Sequence, residues 1–325
     1  MIVVTGAAGF IGSNIVAALN KRGEYDVVVC DWLGLDGRWM NLRKAMFAEH
    51  VFPEDLFDLI ETRRPEAVIH MGANSSTVAQ DGDEILRVNL NYTLRLIDQC
   101  ARLGISLVYA SSAATYGNGE QGYVDDFSLL ALRALRPLNL YGWSKSQIDS
   151  IVAWRAEQGM PLPPRCIGLK FFNVYGPNEF HKGDMMSVVG KAHPTIVRGE
   201  AVRLFSSHRD GYVDGGQLRD FIHVDDVVSV VLWMLEHGPA VGVFNCGTGR
   251  ATSFLEFVEA MFTALDRAPR VEFIPMPEHL RARYQYFTEA DLNNLRRVGY
   301  DRPFMDVEDG VARYAEVLER EDPFR

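Results

Sequence analysis

Several large classes of protein are excluded by what this sequence of 325 residues lacks. Its four cysteines, Cys30, Cys100, Cys166 and Cys246, are far apart and form no CxxC or mixed Cys/His spacing, so neither a disulfide framework nor a zinc site is expected. The histidines make no HExxH pattern, and free buried thiols in a reducing compartment are the expectation. No apolar run approaches the roughly 18 residues of a membrane-spanning helix. Met1 leads directly into IVVTG without a basic segment or cleavage site, and a cytoplasmic protein with no membrane partner is expected. Basic charge is also scarce: the net charge of -10 and pI near 5.3 argue against bulk electrostatic binding to nucleic acid. Any anionic ligand must be met by local groups. There is no repeat or low-complexity segment, so the chain should fold nearly throughout.

What is present is an alternation of short β-branched runs with amphipathic stretches. IVVTG (2–6), VVVCD (27–31), AVIHMG (67–72), LVYASS (107–112) and IGLKFFNV (167–174) read as near-continuous apolar strands. Strands of that kind, separated by helices, imply a parallel sheet covered on both faces, with ligands at the carboxyl ends of its strands. The expected fold is α/β, a doubly wound parallel sheet of the Rossmann type with a smaller C-terminal substrate-binding domain. Residues 1–180 and 217–250 are assigned to the dinucleotide-binding part, with a helix from about Asp225 to His237 and a strand VFNCG (243–247). Residues 181–216 and 251–325 are assigned to the substrate-binding part, which includes the glycine-rich, charged stretch FSSHRDGYVDGGQLRD (205–220).

In VVTGAAGFIGSNIV, Gly6, Gly9 and Gly12 lie between a strand and a helix, followed by Phe10 and Ile11 at the helix start. Glycines there allow a tight turn and the approach of a pyrophosphate, and the helix N-terminus supplies free N–H donors. Asp31 ends the second strand about twenty residues on, where a carboxylate accepts hydrogen bonds from an adenosine ribose and suggests NAD. Arg38, in the next loop, could instead pair with a ribose phosphate. As ordinary structural residues, Asp31 would cap a helix and Arg38 would be solvated.

In NLYGWSKSQID, Tyr141 and Lys145 are four residues apart and share one helix face. A phenol is a poor base at neutral pH until a neighbouring ammonium stabilises its phenolate. Ser111 and Ser112 end the strand LVYASS at the carboxyl edge of the sheet, where a hydroxyl can hold an alcohol or a carbonyl.

Glycine loop, strand-end serine and Tyr-x-x-x-Lys, in that order, resemble the extended short-chain dehydrogenase/reductase superfamily over essentially the whole chain, including RDFIHVDDV and FNCGTG. The resemblance implies that Ser112 is the catalytic serine, Tyr141 the acid/base and Lys145 the residue holding the nicotinamide ribose. Dehydratases of the superfamily carry an acidic pair just after the serine or threonine; Ala113 and Ala114 stand there and leave an epimerase or a simple oxidoreductase. A finer similarity is to the ADP-glyceromanno-heptose 6-epimerase family. It rests on SSAATYG, FNVYGPNEFHKGDM, FNCGTGRATSF and RYQYFTEADLNNLRRVGYDRPF (283–304). That similarity implies an ADP-activated heptose destined for lipopolysaccharide, NADP as the usual cofactor with NAD possible, and a homo-oligomer. Because the hydride leaves one face of a carbinol and returns to the other, a second acid/base is needed; by similarity it is Lys182 of the HKG motif. The resemblance also places Gly72, Ala73, Asn74, Asn89 and Val174 beside the cofactor. Asn173, Asp184, Phe205, Arg219 and Tyr284 fall beside the substrate, with Arg219 as a diphosphate clamp or, alternatively, the partner of Asp220 in a surface ion pair.

The chain departs from this pattern at Asp184, where a serine is expected, at Lys191 in place of a histidine, in the long 205–219 segment, and at Pro53 in place of a second basic residue. Two rivals remain: a nucleotide-sugar 4-epimerase acting on a UDP- or GDP-hexose, and a catalytically silent dinucleotide sensor.

Overall fold

The protein is described by a computed structural model that covers residues 1–281 and 284–325. Its strands in chain order are β1 (Ile2–Thr5), β2 (Val27–Cys30), β3 (Glu49–Val51), β4 (Ala67–His70), β5 (Ser106–Ser112), β6 (Cys166–Phe171), β7 (Asn173–Tyr175), β8 (Val202–Phe205), β9 (Leu218–His223), β10 (Val241–Cys246), β11 (Ala251–Ser253) and β12 (Val271–Ile274). Seven of them form one parallel sheet in the order β10-β6-β5-β4-β1-β2-β3. This is the doubly wound sheet the sequence implied.

Alternate residues of each strand feed opposite cores because the strand period is two. Val4, Ile69, Val108 and Ile167 pack under the helices Phe10–Lys21 and Val224–His237. Their neighbours Val3, Val68, Leu107 and Cys166 pack under Leu56–Arg63, Tyr92–Leu103 and Leu140–Glu157. All four cysteines are free and buried.

The run IGLKFFNV, read as one strand, is two. The Phe172 N–H donates to Cys246 O at 3.0 Å and completes the main ladder, and Val174 N–H then turns back to Phe172 O at 3.0 Å. A three-residue turn of that kind redirects a strand end. The next residues, β7, leave the main sheet for a second one ordered β11-β9-β7. A further core forms beyond this break from Tyr175, Val189, Leu204, Phe221, Phe257, Met261 and Tyr314, with the Phe221 and Phe257 rings stacked at 3.8 Å. The short strand β3 escaped the sequence reading because only three residues pair.

One feature of the main sheet runs against its apolar pattern. Lys170 stands in the middle of β6 and is fully buried, as is Asp149 of the helix Leu140–Glu157. Lys170 Nζ lies 2.8 Å from Asp149 Oδ2 and donates to Thr115 Oγ1 at 2.7 Å, while Asp149 also accepts from Ser111 Oγ at 2.7 Å and Tyr109 Oη at 3.1 Å. Removing one partner of such a pair strands the other charge in the interior. Lys170→Met is therefore expected to cost about 3–5 kcal/mol in urea unfolding, and Lys170→Met with Asp149→Leu to recover much of it. A single substitution costing less than about 1 kcal/mol would show that the network does not hold this helix to the sheet.

Candidate active site

The carboxyl edge of the main sheet gathers the glycine loop, the loop after β4 and the serine at the end of β5. Gly6 has φ 63°, and a Cβ there would lie 2.6 Å from Gly72 N; a Cβ on Gly12 would lie 2.1 Å from Gly6 O. Only glycine permits both approaches. Gly9 is the N-cap of Phe10–Lys21 with no side-chain cap, which leaves the N–H groups of that first turn, Phe10 and Ile11 included, for an anion. Asp31, directly after β2, accepts the Ala8 N–H at 2.9 Å and so braces the same loop. Its other oxygen is 3.9 Å from Arg38 Nη1.

Gly72, Ala73 and Asn74 form the opposite lip. Asn74 N–H donates to Asn89 Oδ1 at 2.8 Å, and the Asn89 amide donates to Asn74 O at 2.9 Å and to Ser144 Oγ at 3.1 Å. Ser144 Oγ in turn donates to Tyr141 O at 2.7 Å. Asn89 sits in a π turn, Leu86–Asn91, and is fully buried. Its side chain is spent on fixing this lip to the helix that carries Tyr141, so its contribution to the cleft is the position of Asn74. Val174 packs against the core under the glycine loop, and Asn173 beside it is exposed.

Ser112 caps the turn Ala113–Tyr116 by accepting the Ala114 N–H at 3.1 Å. The helix Leu140–Glu157 starts against this turn. Asn139 caps it, accepting the Gly142 N–H at 2.8 Å, and a Cβ on Gly142 would lie 2.6 Å from Ala114 O. Gly142 therefore lets Tyr141 come down beside Ser112. Burial pushes the Tyr141 phenol up, opposed by a hydrogen bond with Ser112, and the Asp149 charge adds to the rise. Lys145, one turn on, is 1 % exposed. Burial lowers its amine to about 8 against the pull of Asp149. Ala113 and Ala114, directly after Ser112, form the start of the turn.

Lys182 lies in the short helical turn Phe180–Met185, its Nζ 5.1 Å from the centre of the Phe10 ring. The structure thus brings it to the glycine loop. Burial lowers its pKa, with Glu179 raising it and Lys191 lowering it. Glu179 is fully buried and accepts Ser187 N–H at 2.7 Å and Ser187 Oγ at 2.6 Å. The carboxylate acting on Lys182 is thus Glu179; Asp184, two residues past the lysine, is exposed, and only its backbone oxygen is engaged, by Lys191 Nζ at 3.0 Å.

On the far wall, Arg219 is 6 % exposed and does not pair with Asp220. Asp220 is instead saturated by the N–H groups of Thr248, Gly249 and Ala290. The Arg219 guanidinium donates to the Leu218 and Gln285 carbonyls and lies 5.2 Å from the Tyr284 ring and 5.6 Å from the Phe254 ring. Phe205, at the end of β8, meets Tyr284 edge-on at 6.4 Å. An arginine buried between aromatic rings with only carbonyls to bind is charged and uncompensated, as a site for a phosphate oxygen requires. Arg283, the first residue of the 283–304 motif, lies outside the described residues. With the glycine cradle at one end and this arginine at the other, the residues present fit a dinucleotide and a second anionic ligand.

Residues 2–247 match the family described as the NAD dependent epimerase/dehydratase family. The chain belongs to that family. Among curated relatives it is 45% identical over 329 residues to ADP-L-glycero-D-manno-heptose-6-epimerase of Nitratidesulfovibrio vulgaris strain DP4, covering 100% of both chains. It is 43% identical over 335 residues to the enzyme of the same name from Fusobacterium nucleatum, again covering 100% of both. Among solved structures, Helicobacter pylori ADP-L-glycero-D-manno-heptose-6-epimerase superposes with a TM-score of 0.76 at 25% identity, over 97% of this chain and 94% of that one. Thermus thermophilus UDP-glucose 4-epimerase, solved in complex with NAD, gives 0.72 at 26% identity over 97% of each chain.

Sequence reading missed Gly142, Asn139, Glu179 and the Asp149–Lys170 pair. Asp149 had a signal: it extends the Tyr141, Lys145 spacing by one more turn of the same helix face. Lys170 had one too, as a charge inside an apolar strand.

The Lys145 shift carries a stability consequence. Below about pH 8 the amine is charged both folded and unfolded, and the burial penalty is fully present. Between about 8 and the ordinary lysine value of 10.5 the folded amine alone is neutral and the penalty fades. Lys145→Met should therefore abolish turnover yet stabilise the cofactor-free protein at pH 7 by on the order of 1–3 kcal/mol, and by less at pH 10. A variant less stable than the parent at pH 7 in thermal unfolding would contradict this.

Proposed function

We propose that this protein inverts carbon six of an ADP-activated heptose, converting ADP-D-glycero-D-manno-heptose to ADP-L-glycero-D-manno-heptose, a precursor of the lipopolysaccharide core. The observation that carries the reading is the pairing of a tyrosine on one support with a desolvated lysine on another. Tyr141 rests beside Ser112 at the end of β5, and Lys182 rests over Phe10 of the glycine loop. An enzyme that works on both faces of one carbon needs a proton carrier on each side.

A nicotinamide dinucleotide held along the glycine loop of Gly6, Gly9 and Gly12 would supply the hydride acceptor and, later, the hydride donor. Ser112 Oγ holds the substrate oxygen, and Tyr141 takes its proton as the ketone forms. Lys145, one turn along the same helix, would favour the phenolate and hold the nicotinamide ribose. After the ketone turns, Lys182 gives a proton to the oxygen presented on the other face. Burial makes its ammonium a stronger acid than a solvated lysine, which suits that step. Arg219 serves the substrate diphosphate, with Phe205 and Tyr284 beside it, and Asn173 and Asp184 line the sugar end. At the adenosine end, Arg38 is the group that would take the extra phosphate of NADP, and Asp31 serves the free ribose of NAD.

The division into residues 1–180 with 217–250 and 181–216 with 251–325 is kept as part of this reading. It is supported by the separate core around Phe257, although Tyr175 and Phe221 of the first set join that core. Self-association is proposed through the exposed Trp143 and Trp154, with Leu129 and Leu132 lining the same groove. Among the described residues no helix is long and apolar enough to cross a membrane, and a cytoplasmic location is proposed because activated sugars are made there.

The test is product stereochemistry. Incubation with ADP-D-glycero-D-manno-heptose should yield the L-glycero epimer, whereas UDP-glucose should be left unchanged; the reverse outcome would establish the 4-epimerase rival. Lys182→Met should lower kcat by about 10²–10⁴ with cofactor binding intact. Turnover within a few fold of the parent would remove Lys182 from the mechanism.

A further inference from the structure

The adenosine end of the cleft contains an ion pair that the catalytic cycle does not use. Gly34 has φ 56° and Gly37 has φ 78°, and between these left-handed glycines the loop folds Asp36 back onto Arg38. Arg38 Nε donates to Asp36 Oδ1 at 3.0 Å and Oδ2 at 3.1 Å, Nη2 donates to Oδ2 at 2.6 Å, and the Arg38 backbone N–H donates to Oδ1 at 3.2 Å. The bidentate edge of the guanidinium, which would otherwise meet a phosphate, is occupied by a carboxylate from its own loop. The remaining edge, Nη1, faces Asp31 Oδ1 at 3.9 Å. The Arg38 hydrogen bond holds the Asp36 carboxyl down at about 2, so the pair is charged throughout the neutral range. His181, the other titratable group facing it, has its pKa lowered by burial and adds no compensating charge at neutral pH.

Two carboxylates and one guanidinium therefore meet the adenosine ribose. A free 2′-hydroxyl can donate to Asp31 with nothing displaced. A 2′-phosphate, with a charge of about -2, must pull Arg38 away from Asp36 and lie against two carboxylates. We propose that Asp36 is a specificity-determining residue that locks Arg38 and makes NAD, rather than NADP, the preferred dinucleotide of this protein. The inference rests on the reading that a dinucleotide lies along the glycine loop. It differs from the NADP that the sequence resemblance implied, for a reason the resemblance does not contain: Asp36 itself.

Both side chains are about a third exposed, at 32% for Arg38 and 36% for Asp36, so the effect is screened and of modest size. Binding of NAD⁺ and NADP⁺ to dinucleotide-free protein is measured by calorimetric titration at fixed salt for the parent, Asp36→Ala, Asp36→Asn and Asp36→Ala/Arg38→Ala. The parent should bind NAD⁺ about tenfold more tightly than NADP⁺. Asp36→Ala should improve NADP⁺ affinity about tenfold and leave NAD⁺ within about threefold, and adding Arg38→Ala should erase the gain. Asp36→Asn should fall between, since its amide still accepts a hydrogen bond but carries no charge. Tighter NADP⁺ binding by the parent, or a ratio that Asp36→Ala does not move, overturns the proposal and leaves the cofactor site standing. Binding of neither dinucleotide by the parent overturns the cofactor reading and the proposal together.

Discussion

The buried contact between Asp149 and Lys170 is the constraint on which the catalytic geometry depends. It joins the helix Leu140–Glu157 to β6, and through Ser111, Tyr109 and Thr115 it also binds β5 and the turn after it. Ser112, Tyr141 and Lys145 are thus carried by elements locked together below them. A hydrophobic contact would hold the helix against the sheet without fixing how far it slides along its axis. A charged pair with three directional partners fixes that register, because a shift of one residue would leave an ion without its counter-ion. Gly142 then converts register into proximity by letting the helix start touch Ala114 O.

Above this anchored layer the site is lined with cations that the protein itself does not neutralise. Lys145 and Arg219 are buried, Lys182 is half-buried, and burial lowers the pKa of each. None of the three is in an ion pair among the described residues, whereas Lys170, which pairs with Asp149 and donates to Thr115 Oγ1, is fully compensated. The contrast separates structure from function: a paired buried charge fixes a register, and an unpaired one waits for an anion or a proton transfer. It is also how a protein of net charge -10 would meet a diphosphate: the favourable potential is local and desolvated, not spread over the surface.

Much of this was legible in the sequence, and the reasons differ by residue. The sheet could be read because β1, β2, β4, β5 and β6 are near-continuous apolar runs, and the glycine loop because Gly6 and Gly12 are forced by contacts between backbones, which only glycine satisfies. Tyr141 and Lys145 were read from their four-residue spacing, and Lys182 from the resemblance of its HKG motif. The break at Phe172 was not legible, since the turn that sends β7 into the second sheet is made by backbone hydrogen bonds and leaves no mark in composition. Glu179 was hidden for another reason: its effect on Lys182 requires both to be buried in one turn, which the polar string NEFHKGD does not suggest. Asp31 and Arg38 looked like competing signals for two cofactors. The structure shows them 3.9 Å apart, with a third charge, Asp36, paired to Arg38.

The support of Lys182 is separate from that of Tyr141, and the separation suits the chemistry. The residues leading into its turn are fixed to the glycine-loop helix: Asn14 donates to Pro177 O at 2.9 Å, and Asn178, at φ 73°, donates to Ser13 Oγ at 3.0 Å. Asn tolerates that left-handed backbone better than most residues. Asn41 reaches both Ala8 O and Asn178 O, at 2.8 and 3.1 Å, and Phe324 packs edge-on against Phe180 at 5.1 Å. Lys182 is therefore referenced to the loop that would hold the cofactor, and Tyr141 to the strand end that would hold the substrate oxygen. A ketone that rotated between two hydride transfers would change its relation to the tyrosine. A proton donor fixed to the cofactor's own cradle keeps its position relative to the hydride throughout that rotation, which a second group on the tyrosine helix would not do.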